Sequence, residues 1–259
     1  MTPAAPGATK NGRSAIQLSP MEVPKASDVL ANELRERILS GEYEEGTPLP
    51  PERELVVQTK MSRTTVREAL RILEVQGLVR IKAGRAGGAF VQRPGGESMA
   101  SSVALLIRGQ QIRLAALLET REALEPFCAR LAAKNRTTED LKALDAANDA
   151  IVTAEGDLDA FLSANVDWHV AVAHASKNEL LMGMMTALSR AIYAATENEG
   201  FVDETVRNTT VRAHKSITRA IRDRDPDAAV RRMTRHVHSY AEEVLAVDER
   251  VDITVPGED

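Results

Sequence analysis

Apolar residues recur along this chain at two spacings, and the change of spacing marks out its elements. Leu30, Leu34, Ile38 and Leu39 form one face of a helix, with Ser27 and Asp28 placed to cap its start and Gly41 just past its end. Pro48, Pro50 and Pro51 stiffen the next segment, and Pro51 can open a second helix that runs to about Gln58. A third helix is predicted from near Ser62 to before Gly77, with Val66, Leu70 and Leu73 facing a core at helical spacing. The period then shortens. Leu78 to Lys82 and Ala89 to Gln92 read as two strands around the turn glycines Gly84, Gly87 and Gly88.

Beyond Arg93 to Ser98 every pattern is helical. Helices are predicted near 101–109, 112–134, 138–154, 157–176, 178–197, 203–223 and 226–248. Asn135, Gly156, Asn178, Gly200 and Pro226 mark the breaks, and Thr137 with Asp140, and Asp225 before Pro226, have the form of helix starts. Connected amphipathic helices of this kind should form an antiparallel bundle. The predicted organisation is a disordered tail (1–24), a winged helix-turn-helix domain (25–93), a linker (94–100), an all-helical domain (101–248) and a polar C-terminal tail (249–259). The fold class is mainly α.

Composition supports this reading and narrows it. Apolar residues make up 43% of the chain and aromatics only 3%, which favours helices built on Ala and Leu. The single cysteine, Cys128, excludes an intrachain disulfide, and no apolar run reaches the length of a membrane span. With no visible signal peptide, the chain is read as cytoplasmic. Net charge is −5, but residues 60–93 hold eight basic and two acidic residues. A basic head on an acidic body is the distribution expected of a nucleic-acid reader with a regulatory domain.

The basic segment has the chemistry for DNA. Ser62, Arg63, Thr64, Thr65 and Arg67 cluster at the start of the third helix. Hydroxyls and backbone N–H groups at a helix N-terminus hold phosphates, while an arginine fork can read guanine in the major groove. Arg85, at the hairpin tip, is placed to touch phosphates or the minor groove. The bland alternative is a solvated charged face.

Several segments together carry a family resemblance. LPPEREL (49–55), MSRTTVREALRILEVQGLV (61–79) and GRAGGAFV (84–91) occur in order in the first domain. TREALEPFCARLAA (120–133), NVDWHVAVAHASKNELL (165–181) and the pair His214 and His236 follow in the second. The chain resembles the GntR superfamily of bacterial transcription regulators, in the branch with a fatty-acid-regulator-like, all-helical FCD effector domain. The resemblance implies DNA contacts at Arg53, Ser62, Arg63, Thr64, Thr65, Arg67 and Gly84. Of these, Arg53 would otherwise read as an ordinary surface arginine.

Five histidines are present: His169, His174, His214, His236 and His238. The resemblance implies a metal held by an Asp, a His four residues later and two further His on later helices. His169, His214 and His236 match the histidines, and zinc or nickel suits such donors. Register agrees, since His214 is in phase with Ile217 and Ile221, and His236 with Met233 and Tyr240. Asn165 stands where the family has Asp. Its amide oxygen can ligate but brings no charge, so the site should bind metal more weakly. Asp167 points roughly 160° away from His169 and cannot substitute. His174 and His238 lie off the matched face. The competing reading is three hydrogen-bonded core histidines.

Arg121 and Glu125 share a helix face. The resemblance turns Arg121 toward the same cavity, where it could grip an effector carboxylate, with Arg190 a weaker candidate. An intrahelical Arg121–Glu125 pair is the alternative. The Met182, Met184, Met185 run reads as core filling.

Together these features predict a transcription regulator that responds to a small organic acid and binds double-stranded operator DNA as a homodimer. A metal-dependent enzyme with an accessory nucleic-acid domain is one rival, although HExxH, a nucleophile–base pair and a phosphate loop are missing from the sequence. An effector-independent DNA-binding protein is the other, and it leaves the inward histidines without a purpose.

Overall fold

The computed structural model describes residues 23–84, 87–93, 96–154, 156–196 and 202–247. The tail readings for residues 1–22 and 249–259, and the reading of Arg85, fall outside these. The chain forms two compact units, the first ending at Val91 and the second taking the chain from Gln92 onward together with Gln76–Leu78.

The first unit contains α1 (Ala26–Leu39), α2 (Glu52–Thr59), α3 (Arg63–Val75), β1 (Val79–Lys82) and β2 (Gly88–Val91). Leu30, Leu34 and Ile38 of α1 are buried, as are Val66, Leu70 and Leu73 of α3. Two details of α1 differ from expectation. Lys25, not Ser27 or Asp28, takes the N-cap position, and it makes no side-chain cap. Ser27 is turned into the core instead, while Asp28 still favours the positive end of the helix dipole from within the first turn. Leu39 is 60% exposed, because the residue after Ile38 lies about 100° around the helix from the buried stripe.

Lys60 ends α2 in a left-handed conformation, φ 57°, which produces the tight turn into α3. β1 and β2 pair antiparallel, with Val79 opposite Val91 and Lys82 opposite Gly88. The turn needs glycine at Gly87, where a Cβ would sit 2.3 Å from the Lys82 carbonyl oxygen. The proline-rich segment does more than stiffen the chain. Leu49 N–H donates to the Ala89 carbonyl, Val91 N–H donates to the Thr47 carbonyl, and Pro48 bridges to Phe90. That segment therefore lies along the outer edge of β2.

The second unit contains α4 (Gly96–Gln110), α5 (Leu114–Asn135), α6 (Thr138–Thr153), α7 (Leu158–Ala175), α8 (Glu179–Thr196), α9 (Glu204–Arg222) and α10 (Pro226–Val247). α4 begins five residues before the predicted start at 101, so 96–100 of the expected linker are helical. The other boundaries fall within two residues of the pattern. Local chemistry explains them. Thr137 and Asp140 form a reciprocal capping box, Asn178 Oδ1 accepts from Leu181 N–H, and Asp225 caps α10 by accepting from Ala228 N–H. α5 packs against α7, α9 and α10, and α7 packs against α5, α6 and α8. These contacts bring the inward faces of α5, α7, α9 and α10 to one place in the bundle.

Candidate functional site

In the first unit the polar start of α3 divides its labour. Ser62 Oγ accepts from Thr65 N–H at 3.1 Å and lies 2.8 Å from Thr65 Oγ1, so the Ser62 hydroxyl caps the helix and the Thr65 hydroxyl holds it there. Arg63, Thr64 and Arg67 are exposed beside them, and Arg53 is exposed on α2. Arg67 Nε donates to Glu52 Oε2 at 2.9 Å, which links the starts of α2 and α3. An exposed pair of this kind is weak and readily exchanged for a phosphate or base edge. Gly84 sits exposed in the hairpin turn at φ 104°.

In the second unit three histidines converge. His169 from α7, His214 from α9 and His236 from α10 each present a ring nitrogen, and these atoms lie within 4.8 Å of one another. Nε2 of His214 and Nε2 of His236 are 3.0 Å apart. His169 and His214 are buried, and His236 is partly exposed. Burial pushes all three below the usual imidazole range. His214 and His236 are lowered further by the neighbouring imidazoles and Arg121, His236 to about 3. For His169, Glu125 partly offsets the effect of burial. All three are therefore neutral near pH 7, the form that ligates metal.

Two residues outside the predicted set hold this arrangement. Glu125 is buried on α5 and accepts from Arg121 Nε at 2.6 Å. Its Oε2 lies 2.5 Å from His169 Nδ1, off the line of a hydrogen bond, so neither atom has an aligned partner. Burial alone would raise the Glu125 carboxyl, but the Arg121 guanidinium and His169 hold it well below the usual carboxylate range. Trp168 stacks face to face on His214, with ring centroids 3.7 Å apart, and its indole N–H donates to Thr218 Oγ1. The Arg121–Glu125 face was visible in the sequence. That Trp168 meets a histidine from another helix was not, because helical spacing says nothing about a neighbour distant in sequence.

Arg121 lies between the two neighbours that the sequence offered it. It pairs with Glu125, and its Nη2 lies 3.2 Å from His169 Nε2. Asn165 lines the same narrow cleft, about 20 Å³, together with Arg121, His169, His236 and Tyr240. A larger groove of about 280 Å³ between α9 and α10 shares His236 and Tyr240 with it, and is lined by Thr209, Ser216, Arg232 and Arg235. Arg190 is exposed on α8 and lines neither space. The structure does not bring it to the histidines. His174 is exposed, and His238 is exposed beside Glu122 and Glu242. Met185 is buried as core filling, while Met184 is 40% exposed.

The donor set fits a divalent metal. Three neutral imidazoles suit zinc, nickel or another borderline ion. The 3.0 Å separation of two ring nitrogens is one that bonds of about 2.0–2.1 Å to a common ion can span. His214 Nδ1 is buried without a hydrogen-bond partner, so His214 enters the cluster without the second hydrogen bond that usually steadies a buried imidazole.

The lowered histidines fix a pH dependence. Unfolded imidazoles take protons near pH 6.5, while the folded ones resist. Below about 6.5 the unfolded chain binds more protons, so stability falls with pH. It is fully present above 6.5 and is lost progressively toward the folded value, about 3 for His236. Each such histidine contributes up to ~1.4 kcal/mol per pH unit over that window. Urea unfolding of the metal-free protein at pH 7 and pH 5.5 should show the loss, and His236→Gln should reduce it. A pH-independent stability over this range would contradict the burial of three neutral imidazoles.

Comparison with known proteins agrees with both halves of this description. Residues 26–91 match "Bacterial regulatory proteins, gntR family", and residues 116–239 match "FCD domain". The HTH-type transcriptional repressor NanR of Klebsiella aerogenes is 31% identical over 232 residues, covering 88% of each chain. The galactonate operon transcriptional repressor of Escherichia coli is 32% identical over 207 residues, covering 78% of this chain and 90% of the relative. Among solved structures, Streptococcus agalactiae GntR aligns with TM-score 0.66 and 26% identity over 83% of this chain and 99% of its own. With a winged reading head, a helical bundle and relatives of this kind across most of its length, the chain belongs to the gntR family of bacterial regulatory proteins, in the branch with an FCD domain, and is a DNA-binding transcription regulator.

Proposed function

We propose that this protein is a cytoplasmic homodimeric repressor that binds a palindromic operator through α3 and is controlled by a small hydroxylated carboxylate bound at a metal centre in the helical domain. The observation that carries the proposal is the convergence of three neutral imidazoles with a buried arginine, one of the imidazoles, His236, also lining a groove rich in hydroxyl-bearing residues. A bound divalent ion would supply a positive centre that attracts carboxylate oxygens. His169, His214 and His236 would hold it, with Asn165 as a neutral oxygen donor. Arg121 offers a fork that matches a carboxylate. The groove presents hydroxyls from Thr205, Thr209, Thr210, Ser216 and Ser239, the chemistry that recognises a polyhydroxylated chain. One relative is named for a galactonate operon, which suits the same class of ligand.

On the DNA side, Arg53, Arg63, Thr64 and Arg67 are the exposed groups able to reach bases and phosphates. Ser62 and Thr65 shape the helix start they share, Gly84 belongs to the wing, and Arg85, next to it in sequence, is a further proposed contact. Pairing two reading heads on one duplex makes the second contact intramolecular, which is why a dimer suits the operator.

Arg63→Ala should weaken operator binding by roughly 1–3 kcal/mol and relax base preference, and the residual affinity should still fall with salt. Fluorescence anisotropy on operator DNA measures this. Unchanged affinity in both Arg63→Ala and Arg67→Ala would remove α3 as the reading helix. A panel of sugar acids should include one that shifts operator affinity in wild type, and failure of the whole panel would argue against this effector class.

Metal content offers an independent check. Asn165→Asp should retain zinc or nickel through dialysis better than wild type, and His214→Ala should lose it. If neither wild type nor Asn165→Asp takes up metal, and added zinc leaves Tm unmoved, the centre works as a metal-free polar cavity.

A further inference from the structure

The two nitrogens of His169 face opposite kinds of partner. Nδ1 lies 2.5 Å from Oε2 of Glu125. The other oxygen of that carboxylate accepts from the Arg121 guanidinium at 2.6 Å, and a carboxylate paired in this way has no hydrogen to offer, so the hydrogen belongs on Nδ1. Nε2 is then left with its lone pair. Nη2 of Arg121 lies 3.2 Å from it, and a guanidinium can only donate. Both neighbours therefore select the same tautomer, and the lone pair that a metal would need is already covered by a cation. The other two histidines differ. Their Nε2 atoms face each other at 3.0 Å, one donating and one accepting.

We infer that Arg121 is an internal cation that closes the third ligand position: its guanidinium occupies the His169 lone pair, so that this contact and a bound metal ion exclude each other. The inference rests on the reading of the three histidines as a metal centre. Its consequence follows from the rest of the arginine. Arg121 Nε is held by Glu125 Oε1 at 2.6 Å, and the guanidinium lies 5.5 Å from the centre of the Tyr240 ring. Its Nη edge, once displaced from His169, remains at the cleft that Arg121 already lines. Metal binding thus frees a fork for a carboxylate, and a carboxylate held by that fork keeps the arginine off His169. The two ligands reinforce each other, and by linkage each raises the affinity of the other by the same factor.

The experiment uses the whole protein and zinc alone, without organic acid. Zinc affinity is measured by competition with a chromophoric chelator for wild type, Arg121→Met and Arg121→Lys. Loss of a hydrogen bond from a charged group, together with the cation itself, should tighten zinc binding in Arg121→Met by about tenfold or more. Arg121→Lys should tighten it by less. It keeps the charge, but a single ammonium cannot span Glu125 and His169 as the fork does. Melting in chelator shows which variants fold, and the lysine variant decides the matter if the methionine variant does not. Imidazole ¹⁵N shifts give a second readout, expected to show His169 protonated at Nδ1 in metal-free wild type. Zinc binding by wild type with equal or weaker binding by the folded variants would overturn the inference and leave the metal centre standing. An Nδ1-unprotonated His169 would also overturn it. No zinc uptake by any of the three proteins would remove the metal centre itself, and the inference with it.

Discussion

The arrangement of the helical domain turns on one buried carboxylate. Glu125 lies in the bundle interior, where an isolated charge would be costly, and it stays ionised because Arg121 and His169 meet it there. That requirement fixes several things at once. It places α5 against α7 in one register, because Arg121 and Glu125 on one helix must reach His169 on the other. It holds one edge of the His169 ring against Glu125, which leaves the other nitrogen on the side of Arg121, His214 and His236. Breaking such a pair by deleting one partner leaves a charge stranded, which is far more damaging than losing an exposed ion pair. The exposed Arg67–Glu52 contact on the reading head is the opposite case, a pair that costs little to exchange when DNA arrives.

The imidazoles show a second side of the same constraint. Neutral histidines tolerate a dry interior, and three of them can converge because none is charged. Trp168 contributes by covering one face of His214, and it is itself tied to Thr218, which also accepts from Asn148. The site is thus assembled from α5, α7, α9 and α10, each of which carries apolar residues on the same buried face. Packing of that face brings the polar groups together.

Much of this was legible in the sequence. Helical periods, caps and breaks located the helices of the bundle to within a few residues, because boundaries at Thr137, Asn178 and Asp225 are set by local side-chain chemistry. The inward faces of His214 and His236 followed from their phase with Ile217, Ile221 and Met233. Three things were not legible. Ser27 had the composition of a cap and was drawn into the core instead. The start of α4 ran into a glycine-containing stretch that composition alone marks as a linker. Arg190 shares its residue type with Arg121, but it is exposed on α8 and lines neither the cleft nor the groove. For Ser27 the burial of that face of α1, which local pattern does not encode, decided the outcome.

The central claim is that His169, His214 and His236 serve as one metal centre. X-ray absorption of the cobalt-loaded protein tests it most directly, since multiple scattering counts the imidazoles bound to the ion. Three imidazoles per cobalt are expected in wild type, with two left in His236→Gln. A wild-type spectrum with one imidazole or none, or one unchanged by His236→Gln, would contradict the claim.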